Sequence, residues 1–192
     1  IIEAFVQQRT QILVGTQMVV KGLDFQNVLL VGVINADHVL NFPDFRAHER
    51  SYQMLCQVAG RAGRSDDKGN VLIQTYQPDH PTLRQVLNHD YEGLYQTQRK
   101  ERYEYKYPPY CRMIRITFKS RQFDTVNMAS DWFVNVLRQS YKGTVLGPVF
   151  PTVSRVRNQY HKQLVVKIDH DYTAKKIKKS IDKMGIKIFK KY

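Results

Sequence analysis

Gln57-Val58-Ala59-Gly60-Arg61-Ala62-Gly63-Arg64 sets two permanently charged guanidinium groups, one amide side chain and two glycines within a single short stretch. Guanidinium groups present forked donors that match phosphate oxygens, and glycine lets backbone approach a ligand closely, so this spacing describes a hand for a triphosphate. An isolated Arg-x-x-Arg reads more readily as a solvated basic helix end; the octet as a whole is far more specific. Just upstream, residues 48–59 carry Tyr52, Leu55 and Ala59 at helical spacing. The octet therefore sits at the C-terminal end of a helix, with Gly60 and Gly63 as breakers.

Working outward, residues 1–9 put Ile2, Phe5 and Val6 on one helical face, and residues 11–16 read as a short buried strand. Residues 28–34 form an apolar run without alternation, the pattern of a parallel strand covered on both faces. Residues 71–75 supply a third strand. Strand, loop, strand, helix, loop, strand is an α/β order, and in such sheets the loops leaving the C-terminal strand ends converge on the ligand crevice. Two loops qualify, residues 16–25 and residues 35–50. Thr16 reads alternatively as the cap of the following turn, and Asp24 as the anchor of an Asx-turn before Phe25.

The chain has 192 residues, 42% of them apolar, enough for one large domain or two small ones. A formal charge of +13 points to a polyanionic partner. No apolar run of about 18 residues and no signal-like leader is present, which favours a soluble cytoplasmic protein facing nucleic acid over a membrane-bound one. Cys56 and Cys111 have no Cys or His at ligand spacing, so neither a disulfide framework nor a metal site is expected. The chain opens on Ile1 in what reads as mid-helix, and we expect it to be a piece of a longer protein.

The octet resembles motif VI of superfamily 2 helicases and translocases, and residues 16–25 resemble motif V. The match then narrows. Lys21-Gly22-Leu23-Asp24-Phe25, Ala36-Asp37, residues 43–50, the octet, residues 74–81, Glu101-Arg102, residues 107–110 and Leu146-Gly147-Pro148 together resemble the PriA family of bacterial replication-restart helicases, in order and spacing. That resemblance implies the C-terminal part of an ATP-dependent DNA helicase, a 3′-to-5′ translocase and ATP hydrolase that recognises stalled or branched forks and restarts replication by primosome assembly. It implies catalytic roles for Arg64 as arginine finger, Arg61 as phosphate contact and Gln57 as sensor of the γ-phosphate or its water. Gly22, Asp24, Gly60 and Gly63 would lie beside the nucleotide, and Thr16, Gln17 and Lys21 along the DNA strand. ATP and magnesium belong to the full-length protein and zinc to a part outside this chain. No phosphate-binding loop occurs here, so the chain alone is not expected to hydrolyse ATP or to hold a cofactor.

Residues 79–105 form a hinge region, after which the second half restarts as a different unit. His80-Pro81 starts a helix with Leu83, Val86 and Leu87 inward, and a polar-aromatic segment runs from residue 91 to 106. Pro108-Pro109 forces extended chain, placing a boundary near residue 107 and giving domains at 1–107 and 108–192. Tyr103, Tyr105, Tyr107 and Tyr110 lie amid Arg99, Lys100, Arg102 and Lys106; they either stack on unpaired bases or plug an inter-domain seam. Alternation over residues 113–118 and 163–168, a further strand over 145–150, and helical stripes over 125–138 and 173–184 give strand, helix, strand, strand, helix, with a last strand from Ile186. That order suggests a split βαβ, ferredoxin-like sandwich following a partial RecA-like second lobe, α+β after α/β. The resemblance likens this domain to a small ribosomal-subunit protein.

Lysines crowd the C-terminus, and Lys175, Lys176 and Lys179, with Arg155, Arg157 and Lys162, are the expected contacts to branched or single-stranded DNA. A generic solubilising face competes with that reading. In the resembled family the region of residues 154–163 helps to form a pocket for the acidic tail of single-stranded-DNA-binding protein. Tyr160, Lys162 and Gln163 would serve it here, although Gln159 and His161 stand where arginine is expected. Other primosome proteins are implied partners. A non-catalytic adaptor docking that tail is the alternative function, and an RNA-binding ribosome-associated module is a third that leaves the octet unexplained.

Overall fold

The computed structural model describes residues 1–16, 28–60, 62 and 69–169, and the chain divides into two units, Ile1–Arg99 and Lys100–Tyr192. In the first unit, helix α1 (Ile2–Val6) precedes strand β1 (Leu30–Val33), and a short helix α2 (Asp37–Leu40) leads into α3 (Ala47–Ala59). Strand β2 (Asn70–Ile73) then runs parallel to β1, in register from Leu30 with Asn70 to Val33 with Ile73. Parallel neighbours need a long crossover, and α2 and α3 supply it. Helix α4 (Pro81–Leu87) and the first part of α5 (Tyr91–Glu104) complete the unit. The core gathers Ala36, Leu40, Tyr52, Leu55, Leu83, Val86 and Leu94.

Three local expectations change. Residues 12–16 form no strand, and Ile12 and Val14 are 76% and 81% exposed. A strand needs a neighbour for its N–H and C=O groups, and no described strand lies alongside. In β1 every second residue is exposed rather than both faces being covered, because the described helices pack on one side of the pair. In α4 the inward residues are Thr82, Leu83 and Val86, while Leu87 is exposed. His80 caps that helix by accepting the Thr82 N–H at Nδ1, 3.2 Å away, which fixes where the helix starts.

The His80 cap has a pH consequence. Burial, and then the neighbouring His48 ring 5.2 Å away, hold the His80 pKa below its ordinary 6.5, with Asp37 opposing. A depressed folded value means that the unfolded chain takes the proton first. The cap's contribution is thus complete above about pH 6.5 and is lost as pH falls toward the folded value. We expect the melting temperature of the first unit to drop between about pH 7 and pH 5.5, and His80→Asn, which caps without titrating, to flatten that drop. Thermal denaturation at both pH values checks this; an unchanged slope in the variant would rule the histidine out.

The second unit begins within α5. Strand β3 (Arg112–Ser120), helix α6 (Phe123–Ser140), β4 (Val145–Val149), β5 (Arg155–Val156) and β6 (Gln159–Ile168) follow. The sheet order is β3-β6-β4, with β5 paired to β6, and β6 runs antiparallel to all three. A βαβ crossover from β3 through α6 to β4 is therefore split by β6, the arrangement expected of the ferredoxin-like order. The helix expected over 173–184 and the strand from Ile186 lie outside the described residues. Val126, Ala129, Phe133, Val134 and Leu137 form the buried stripe of α6. Phe133, Val134 and Leu137 pack with Leu164, Val166 and Ile168 of β6. In β4, Gly147 takes φ +95°, and a Cβ there would come within 2.8 Å of the Gln163 carbonyl, so glycine is needed where the register with β6 shifts.

Residues 105–111 are strapped to the sheet by Lys167, whose Nζ donates to the Tyr105 carbonyl at 2.6 Å and lies 3.9 Å from the centre of the Tyr107 ring. Cys111, also buried, donates to the Lys106 carbonyl. Burial pushes the Lys167 pKa down and the Cys111 thiol up, so the thiol is kept protonated, while the Lys167 amine is engaged by the Tyr105 carbonyl and the Tyr107 ring. Tyr103 meets Tyr110 edge to face at 5.2 Å.

Candidate functional site

In the first unit, the octet begins on the last turn of α3. That helix has Ser51, Tyr52, Leu55 and Val58 buried, which leaves Gln57 exposed on the opposite side. Gly60 follows as C-cap at φ −69°, a conformation open to any residue, and a Cβ built there meets only ordinary contacts, the nearest at 3.6 Å. Among the described residues, neither backbone strain nor crowding requires glycine at 60. Thr16 is exposed in a separate segment. Gln17, Lys21, Gly22, Asp24, Arg61, Gly63 and Arg64 lie outside the described residues, as do Lys175, Lys176 and Lys179.

The end of β2 is tied to the start of α2 by a residue that sequence reasoning quoted without a role. Asp37 accepts from the Tyr76 amide at 3.0 Å and from the Thr75 hydroxyl at 2.9 Å. Those bonds, the Tyr76 amide first, hold its pKa below the usual carboxylate value. The carboxylate thereby fixes the two loops that leave the C-terminal ends of the parallel strands.

In the second unit, β5 and β6 form a hairpin whose two-residue turn is Arg157-Asn158, both at positive φ, 49° and 62°. That is the left-handed pair of a type I′ turn, which matches the twist of the flanking strands. Asn tolerates it; Arg does so at a cost of roughly 1 kcal/mol. The turn thus carries the exposed Arg157 guanidinium outward at its tip, with Arg155 exposed beside it. Arg155 donates to the Asn158 side chain and lies over the Tyr160 ring at 5.1 Å.

Beyond the turn, strand alternation separates residues expected to act together. Tyr160 and Lys162 point toward α6: the Tyr160 ring meets Phe123, and Lys162 Nζ donates to Asn127 at 2.9 Å and to Asp131 at 3.0 Å. Lys162 is only 8% exposed, so its charge is engaged in holding α6 to β6. Gln163, one residue on, faces the other side of the sheet, across from Thr117 and Val149. On that side Arg115 and Lys119 are exposed, and no Asp or Glu occurs in any described strand of this sheet. Phe123, Phe150, Asn127 and Asp131 were missed by sequence reasoning; Phe123 and Phe150 bracket their elements, where helical or strand periodicity is silent.

Among the described residues, no group of three or more His, Cys, Asp or Glu could hold a metal ion, and no helix is long and apolar enough to cross a membrane. A family model described as primosomal protein N C-terminal domain matches residues 103–187. Replication restart protein PriA of Bacillus subtilis (strain 168) is 37% identical over 183 residues, which cover 94% of this chain and 23% of that protein. The chain belongs to the PriA family. Two further PriA proteins agree: that of Synechocystis is 38% identical over 87% of the chain and 20% of its own length, and that of Haemophilus influenzae 36% identical over 91% and 24%. The chain thus spans about a fifth to a quarter of the length of these PriA relatives. The family match covers β3, α6, β4 and the β5–β6 hairpin, so the split βαβ unit is the PriA C-terminal domain.

Proposed function

We propose that this chain is the C-terminal part of an ATP-dependent DNA helicase that recognises stalled or branched forks and restarts replication through primosome assembly in the cytoplasm. Its second unit holds DNA through the β5–β6 hairpin. The observation that carries this reading is Arg157, a long cationic side chain kept in a left-handed backbone conformation at an exposed turn where glycine would be at ease. Strain retained at an exposed position points to a role for the side chain. Arg155 and the lysine-rich C-terminus add charge of the same sign. In the first unit, ATP held with magnesium by another lobe would supply the free energy for translocation. Arg61 and Arg64 would neutralise its phosphoryl charge, Gly22, Asp24, Gly60 and Gly63 would line its approach, and Thr16, Gln17 and Lys21 would grip the strand. Room for a Cβ at Gly60 among the described residues supports a glycine kept for a ligand's approach.

Fluorescence anisotropy with a forked DNA tests the reading. Binding is expected at micromolar strength or weaker and should fall steeply with salt. Arg157→Gly should weaken it severalfold while leaving the turn as stable or more so, because glycine adopts positive φ without strain. Absence of binding even at about 50 mM salt would overturn the assignment.

A second reading, an adaptor for the acidic tail of single-stranded-DNA-binding protein, is favoured by the carboxylate-free sheet face around Gln163, Arg115 and Lys119. Tyr160 and Lys162, on the opposite side, would not take part in that face. Binding of an acidic, Phe-ending peptide without DNA binding would select it.

A further inference from the structure

Three aromatic rings meet at the end of the second unit's sheet, where β3 turns into α6, β4 ends and β6 begins. Phe123 stacks on Phe150 with their planes 4° apart and centroids 5.4 Å apart. Tyr160 meets Phe123 edge to face, also at 5.4 Å. Rings that only sealed a core would be buried; Phe123 is 48% exposed and Phe150 37%.

The charges around the rings are mainly of one sign. Sheet register places Arg155 on one side of Tyr160 and Ser120, with exposed Arg121 next in sequence, on the other. Arg155 lies over the Tyr160 ring, and the ammonium of Lys162, 5.6 Å from the centre of Phe150, backs that ring from within. Asp131 is engaged by Lys162, which leaves exposed Asp124 as the carboxylate adjacent in sequence. Exposed aromatic surface framed by guanidinium groups suits unpaired nucleobases, since every base has a π face and each carries a phosphate with it. A duplex would keep its bases stacked on one another and offer the rings nothing.

We propose that Phe123, Phe150 and Tyr160, flanked by Arg155 and Arg121, form a stacking platform for unpaired bases of single-stranded DNA. This rests on the DNA-binding reading of the second unit and adds where bases, rather than phosphates, are held.

The test uses the whole chain, a labelled oligothymidylate of roughly ten nucleotides and an abasic strand of equal length, which keeps the phosphates and lacks the bases. Anisotropy at low salt should show the thymidylate bound about tenfold or more tighter than the abasic strand. Phe123→Leu with Phe150→Leu, which keeps apolar bulk, should bring thymidylate binding down to the abasic level and leave abasic binding unchanged. Equal binding of both strands by the unaltered chain would overturn the platform while DNA binding stands. Failure to bind either strand would remove both readings. If the paired variant loses an acidic, Phe-ending peptide but keeps the thymidylate preference, the platform is a protein-docking surface and the proposal falls. Should that variant not fold, Phe123→Leu alone decides: a thymidylate preference that falls supports the platform, and one that is unchanged overturns it.

Discussion

Phe133→Ala is expected to remove about 3–5 kcal/mol of stability from the second unit, a large part of what a small domain possesses. The ring is 1% exposed and meets Phe118 of β3 edge to face at 5.4 Å. It packs in the same cluster as Leu164, Val166 and Ile168 of the central strand, so truncation leaves a cavity where α6 meets two strands. Because α6 and β6 are each anchored elsewhere, by Lys162 to Asn127 and Asp131, the cavity cannot close without straining those bonds. Trp132, the chain's single tryptophan, packs against this cluster and makes its fluorescence a reporter of the second unit. In urea the fluorescence midpoint should shift down by about 1.5–3 M, or the unit should be unfolded at the outset. A shift below about 0.5 M would mean that the core is held by something other than this packing.

The other large effect belongs to the octet. In a PriA-type protein carrying both helicase lobes, Arg64→Ala should lower DNA-stimulated ATP turnover by roughly a thousandfold, about 4 kcal/mol of transition-state stabilisation. A developing phosphoryl charge is met by a planar, permanently charged fork, so Arg64→Lys should recover little. Arg61→Ala is expected to be milder, since phosphate contact or loop positioning acts in the ground state as well. DNA affinity without nucleotide should be unchanged in the Arg64 variant. A loss below tenfold would reassign the finger to another residue.

Most of the second unit was legible in sequence because α6 and β6 carry clean periodicities: Val126, Ala129, Phe133 and Leu137 at helical spacing, and Leu164, Val166 and Ile168 at spacing two. What stayed hidden was contact between elements. Lys162 reads as a free cation on a basic strand, and only the packing of α6 reveals Asn127 and Asp131 beneath it. The hairpin turn was invisible for a different reason, since Arg157-Asn158 lacks the glycine that normally announces positive φ. Residues 11–16 failed as a strand because apolar composition reports burial propensity, not whether a neighbour is there to pair. Leu87 failed because it is the last residue of α4, where Leu83 and Val86 already meet the core, and spacing alone does not show which end of an apolar stripe stays in solvent.

The two-residue turn at Arg157-Asn158 acts as a reading frame for everything that follows it. One residue added there, unless absorbed as a bulge, would pass along β6 as a half-period slip. Leu164 and Val166 would move to the open side and Gln163 and Val165 into the helix side, inverting the domain's inside and outside at once. The segment between β4 and β5 has no such arithmetic, because its length is not read out by a pleat. Length change should be tolerated in residues 150–154 and forbidden four residues later, although both stretches lie on the surface of the same small unit.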